Sequence, residues 1–133
     1  AVPPQPIPPG TDPVRHHVGD GNCSANLCGG NLTNEGTRYD KVFSTDTEAV
    51  HNAGIDGVKI SFLASGIDTS TNTVSLNGLV LGNIVSGYNE FTVAASSLLG
   101  TNTLSITSLL TPWAGGFDHD DFEFWDISVT WVE

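Results

Sequence analysis

The chain has 133 residues and carries fifteen acidic residues against four basic ones, Arg15, Arg38, Lys41 and Lys59, for a net charge of −11. That balance repels a phosphate backbone and an anionic bilayer surface, which excludes nucleic acid as a partner. The length suits one domain, and no apolar run approaches the roughly 18 residues a membrane-spanning helix needs, so the mature chain is expected to insert in no membrane.

Six of the seven prolines fall between residues 3 and 13, which predicts an extended arm over residues 1–13. In an extended chain alternate residues turn their N–H groups to the same edge. Gln5 and Ile7 therefore point one way, while Pro4, Pro6 and Pro8 leave the other edge without donors. Such an arm can join a sheet edge on one side and block further growth on the other, with Val2 and Ile7 as its apolar contacts. At about 3.1 Å per residue, twelve residues reach on the order of 37 Å, enough to span a domain of radius of gyration about 14 Å and touch the next copy. The Ala1-Val2-Pro3 start and the absence of Met are expected from a removed secretory leader, which makes the protein secreted, extracellular or on a cell surface.

Residues 14–41 hold Gly19, Gly21, Gly29, Gly30 and Gly36 with little periodicity, and read as an irregular segment packed on the body. Cys23 and Cys28 are predicted to form its staple: the count is even, the short loop is flanked by glycines, and zinc would require further ligands that the adjacent His16 and His17 do not offer. Two sequons, at Asn22 and Asn31, lie in the same segment, and Asn31 is the better glycan acceptor because the Asn22 sequon contains Cys23. His16 and His17 read as loop residues.

Residues 42–133 form the body. From Val58 onward short alternating runs recur with turn signals every eight to twelve positions, which predicts an all-β antiparallel sandwich. Val58, Ile60 and Phe62 share a face, Val74 and Leu76 share another, and Asn77-Gly78 supplies a two-residue hairpin turn into Leu79-Val80-Leu81. Further strands are predicted at Glu90 to Val93, Thr103 to Thr107 and Ile127 to Val132, with one helical turn over Ala94 to Leu99. Phe122 and Phe124 have the opposite parity to Ile127, so a β-bulge near Trp125-Asp126 or burial on both faces is required.

The runs Val74-Ser75-Leu76-Asn77-Gly78, Phe91-Thr92-Val93, Ser97 to Gly100, Asn102 to Ile106 and Asp121-Phe122-Glu123-Phe124 resemble the galactose-binding-like jelly-roll domains of secreted surface proteins and carbohydrate-binding modules. The resemblance covers Val58 to Val132 and implies a jelly-roll sandwich that binds glycans or builds assemblies. It carries over no binding residue, since the arm and the cysteine loop lie outside that pattern.

Asp118, Asp120 and Asp121 place three carboxylates within four residues, a donor set suited to a structural Ca²⁺ of the kind the resembled group often holds; the alternative is a solvated loop. Flat aromatic side chains suit sugar rings, and Trp113, in a loop context before Ala114-Gly115-Gly116, reads either as a sugar-stacking residue or as a lid on the sandwich. Trp125, Trp131, Tyr39 and Tyr88 could complete such a platform, with Trp131 expected in the core instead. His51 and His119 lack a nucleophile partner, and no catalytic residue is assigned. The leading expectation is a non-enzymatic subunit of an extracellular, pilus-like fibre, a head-to-tail homopolymer whose arm docks on a neighbour. This is similar to strand-donating pilus subunits. The alternative is a secreted carbohydrate-binding module, possible Ca²⁺ dependence included.

Overall fold

The computed structural model describes residues 14–19, 32–34, 37–67, 72–108, 110–113, 116–119 and 122–132. Its strands are β1 (Arg15–Val18), β2 (Leu32–Asn34), β3 (Arg38–Ser44), β4 (Gly57–Ser65), β5 (Thr73–Leu76), β6 (Leu79–Asn83), β7 (Gly87–Ala94), β8 (Thr101–Thr107), β9 (Leu110–Trp113), β10 (Gly116–His119) and β11 (Phe122–Val132). A helix, α1 (Thr47–Asn52), follows β3, and a 3₁₀ turn (Ala95–Ser97) follows β7. One sheet runs β2-β1-β11-β4-β7, the other β3-β8-β5-β6, and β9 and β10 pair as a separate hairpin. With β2 set aside, the strand orders 1-11-4-7 and 3-8-5-6 are those of a jelly roll, two Greek keys folded into facing sheets. The all-β antiparallel sandwich expected from the alternation is the fold observed, with β1 and β2 a parallel exception.

Strand parity builds the core. Val58, Ile60, Phe62 and Ala64 of β4 point inward, as do Val74 and Leu76 of β5 and Leu104 and Ile106 of β8. Tyr39, Phe124 and Phe62 form a continuous aromatic column, with ring centroids 5.1 Å apart for Tyr39 and Phe124 and 6.1 Å for Phe62 and Phe124. These edge-on contacts suit aromatic quadrupoles and add to the burial itself. Trp131 packs partly buried against this core, on the face it shares with Ile127 and Val129.

The hairpin turn read from sequence is present, and of the two alternatives for the parity clash on β11 the bulge is the one observed. Asn77 and Gly78 take φ of 52° and 84°, as a two-residue turn between β5 and β6 requires. On β11 the register jumps from Trp125↔Leu63 to Ser128↔Ser61, so one extra residue is inserted, and Asp126 takes φ 57°. The bulge brings Phe122, Phe124, Ile127 and Val129 to one face although their parity differs.

Two readings are corrected. Residues 14–41 are not uniformly irregular: β1 lies inside the five-stranded sheet, β2 flanks it and β3 starts at Arg38. His16 and His17 are buried strand residues rather than loop residues, and His16 lies 4.5 Å from Tyr39 and 5.2 Å from Phe124, centroid to centroid. Four-residue β1 is too short to show a period, and its two imidazoles masked its burial. Helix α1 was also unread. Asp46 caps it by accepting from the Ala49 N–H at 3.0 Å, and Val50 alone anchors it in the interior.

Candidate functional site

The arm residues Val2, Pro4, Gln5, Pro6 and Ile7 lie outside the described residues, as do Cys23, Cys28, Asn22, Asn31, Asp120 and Asp121. Asp118 is on β10 opposite Thr111, and Trp113 is on β9 opposite Gly116, so both belong to the short hairpin rather than to a free loop. Among the described residues no group of three or more His, Cys, Asp or Glu side chains could hold a metal ion. The aromatic platform is dispersed: Tyr39 is in the core and Trp131 packs against it, whereas Trp125 and Tyr88 share the outer face of the five-stranded sheet.

The surface that stands out is the flank where both sheets end, at β6 and β7. Leu79 (56% exposed) and Val80 (61%) lie on β6, Val85 (54%) in the crossing between the sheets, and Tyr88 (58%) at the start of β7. Asn89 builds the crossing: its Oδ1 accepts from the Val85 N–H at 2.8 Å and its Nδ2 donates to the carbonyls of Val85 and Gly87 at 2.9 and 3.2 Å. The buried amide satisfies the turn's own backbone, which leaves the Val85 side chain facing outward. Below it, Phe91 closes the gap between the edges and stacks on Phe62 with centroids 6.4 Å apart. Gly82 makes this possible, because a Cβ there would sit 2.8 Å from the Phe91 ring.

At the far end of this flank a second amide node holds the hairpin turn. Asn102, fully buried, accepts at Oδ1 from the Leu99 N–H at 2.8 Å and from Asn77 Nδ2 at 3.0 Å, and donates to Leu99 O at 2.8 Å and Thr45 Oγ1 at 3.1 Å. Asn77 in turn accepts from the Thr103 N–H at 2.9 Å. The flank is thus a rigid ledge between two asparagine nodes.

Its backbone is open. The Ala95 N–H donates to Asp56 O, and the Gly57↔Ala94 register continues to Ala64↔Gly87. Hydrogen-bonded pairs therefore fall at Val93, Phe91, Asn89 and Gly87, and Tyr88, Glu90, Thr92 and Ala94 turn their N–H and C=O groups away from β4. Among the described residues, nothing pairs with that outer edge. The eight residues of β7 include one charged side chain, Glu90, whose carboxylate lies 3.4 Å from Lys59 Nζ. The opposite flank differs: β3 carries Arg38, Asp40 and Lys41. Arg38 Nε donates to Asp40 Oδ1 at 2.8 Å and its Nη2 to Ser105 Oγ at 3.2 Å. The Ser105 hydroxyl holds the Asp40 carboxyl below the usual carboxylate range; burial opposes that shift, and Arg38 adds to it.

On the outer face beside this edge, the registers Trp125↔Leu63 and Leu63↔Tyr88 set three side chains in line across β11, β4 and β7. The Arg15 guanidinium lies over the Trp125 ring at 4.3 Å, with Nε 3.0 Å from Glu123 Oε2. That contact is an ion pair by distance without hydrogen-bond geometry. Sequence reading named Tyr88 and Trp125 but missed Val80, Val85 and Leu63. The unbroken Leu79-Val80-Leu81 run was the available signal, since an apolar residue on both parities of an edge strand leaves one of them exposed. No family model, curated protein or solved structure matches this chain.

Proposed function

We propose that the protein is a structural subunit of an extracellular, pilus-like fibre, each copy docking its N-terminal arm on a sheet edge of the next. The observation that carries this reading is the open edge of β7, eight residues long and bordered by exposed Val85 and Tyr88. Long, sparsely charged edges invite strand addition, and soluble sandwiches commonly blunt them with charge, bulges or covering loops. From Pro3 to Pro9 the arm's backbone donors are those of Gln5 and Ile7, both on one edge, so that stretch cannot template a further strand. Its addition therefore leads to a linear chain of subunits instead of open-ended sheet growth.

The test is deletion of residues 1–12. Every core residue among those described lies outside that stretch, so the melting temperature should hold, while electron micrographs should lose the filaments. At least the two hydrogen bonds donated by Gln5 and Ile7, at about 0.5 to 1.5 kcal/mol each, and two aliphatic contacts at about 1.5 to 3 kcal/mol each should disappear from every junction. Junctions should weaken by at least about a hundredfold. Filaments of unchanged length from the truncated chain, or a monomeric full-length chain, reject the reading.

A second reading, a secreted glycan-binding module, rests on the Trp125, Leu63 and Tyr88 line. Two inter-strand steps separate the two rings by roughly 9.5 Å, and an apolar step between them suits an extended saccharide laid across the strands. Trp125→Ala separates the readings: it should abolish glycan retention if the module reading holds and leave filaments intact if the fibre reading holds. Structural Ca²⁺ at Asp118, Asp120 and Asp121 remains part of this second reading, and a melt that rises with millimolar Ca²⁺ would support it.

A further inference from the structure

The assembly reading leaves open which edge receives the arm and in which direction, and the geometry of β7 constrains both. We infer that the acceptor is the outer edge of β7 on a second copy, and that the arm lies antiparallel along it with Ile7 opposite Tyr88 and Gln5 opposite Glu90. The inference rests on the assembly reading above. Three observations favour this edge. Four successive outward positions, Tyr88, Glu90, Thr92 and Ala94, present backbone groups that no described residue pairs with, at the two-residue spacing of the arm's donors. The rival edge at β6 is five residues long and breaks register between Val74 and Ser75, and the one at β3 carries Arg38, Asp40 and Lys41.

The register follows from side-chain chemistry. With Ile7 at Tyr88, the N–H groups of Ile7 and Gln5 donate to the carbonyls of Tyr88 and Glu90, and the Tyr88, Glu90 and Thr92 N–H groups donate to the carbonyls of Ile7, Gln5 and Pro3. Ile7 then covers the exposed face of Tyr88, and the Gln5 amide meets the Glu90 carboxylate. A slip of two residues would set Ile7 against that carboxylate instead. The even residues face the core side, where Val2 comes opposite Val93 and Pro4 opposite Phe91, the ring that closes the flank. Pro4, Pro6 and Pro8 turn their missing donors outward, where no bond is required.

The same register disfavours the chain's own arm. From β7, strands β4 and β11 intervene before β1, so an arm beside β7 lies four inter-strand steps, about 19 Å, from the strand it leads into. Seven residues from Ile7 to Val14 reach about 22 Å when straight. Antiparallel to β7, however, the arm runs in the direction of β1 and leaves Ile7 heading away from the start of that strand. Only about 3 Å of slack is left in which to reverse that direction, which favours another copy as the occupant.

The test introduces Ile7→Cys with Tyr88→Cys, the latter at an exposed position, and oxidises assembled protein with diamide, which takes up the two thiol hydrogens. The parent chain is the baseline for Cys23 and Cys28, and Ile7→Cys with Val42→Cys on β3 is the comparison edge. The expected result is a ladder of covalent multiples for the first pair alone, with peptide mapping that joins the two introduced cysteines. Filaments without that link, or with the link to position 42, overturn the acceptor and leave the fibre reading standing. A link closed within one chain overturns the second copy as occupant. Absence of filaments from the parent chain removes the fibre reading itself and this inference with it. As a cysteine-free check, Glu90→Pro deletes an N–H that the sandwich does not use and should raise the concentration needed for assembly by about tenfold or more.

Discussion

The two flanks of this sandwich solve the problem of an exposed sheet edge in opposite ways. At β3, Arg38, Asp40 and Lys41 line the strand, and Ser105 and Arg38 lock the Asp40 carboxylate in place. A second chain approaching there would have to desolvate charge. At β7 the side chains are Tyr, Asn, Phe, Thr and Val with one paired carboxylate, and the crossing before it exposes Val85. Charge distribution along an edge, more than the edge itself, therefore decides which side of a jelly roll stays solvated and which is available for pairing.

The comparison breaks first at Phe91. Phe91→Pro removes an N–H that pairs with β4, together with the ring that closes the flank, and should cost at least about 3 kcal/mol, read as loss of the cooperative urea transition. Glu90→Pro, one residue away, should leave that transition nearly in place because its N–H faces out. If the two variants unfold alike, the assignment of inward and outward backbone groups on β7 is wrong.

Asn102→Ala tests whether the ledge depends on its buried amide node. It strands the Leu99 N–H and the Asn77 amide and should cost about 2 to 3 kcal/mol by chemical denaturation. A cost below about 0.5 kcal/mol would mean that water replaces the amide and the node is no anchor.

Gly82→Ala sharpens the geometry under Phe91. The added methyl meets the ring at 2.8 Å, so the ring must rotate or β6 must shift, at about 1 to 2 kcal/mol. A neutral result would show that the β6 edge is free to move.

The smallest effect is expected on the charged flank. Asp40 titrates below its ordinary 3.8 when folded, so its bonds contribute stability above that pH and lose it as pH falls through the lowered value. The side chain is 44% exposed, which limits Asp40→Asn at pH 7 to under about 0.5 kcal/mol. The wild-type and variant melts should converge as the pH falls through that lowered value. Divergence that grows with acid would reverse the sign of the argument.

What could be read from the amino acids alone was local. The alternation over Val58 to Phe62, the Asn77-Gly78 turn and the parity clash near Trp125-Asp126, which called for a bulge or burial on both faces, each depend on residues close in sequence; the first two are present and the structure resolves the third as a bulge. The arm's one-sided donor pattern is likewise a property of proline spacing. Tertiary structure decided the rest. His16 and His17 are strand residues because β11 supplies a partner more than a hundred positions away, which no local period announces. Val80 and Val85 are exposed because β6 and β7 happen to be the last strands of their sheets. An edge is a relation among strands, set by the order in which long-range pairings close, so the open side of β7 exists only once the jelly roll is folded.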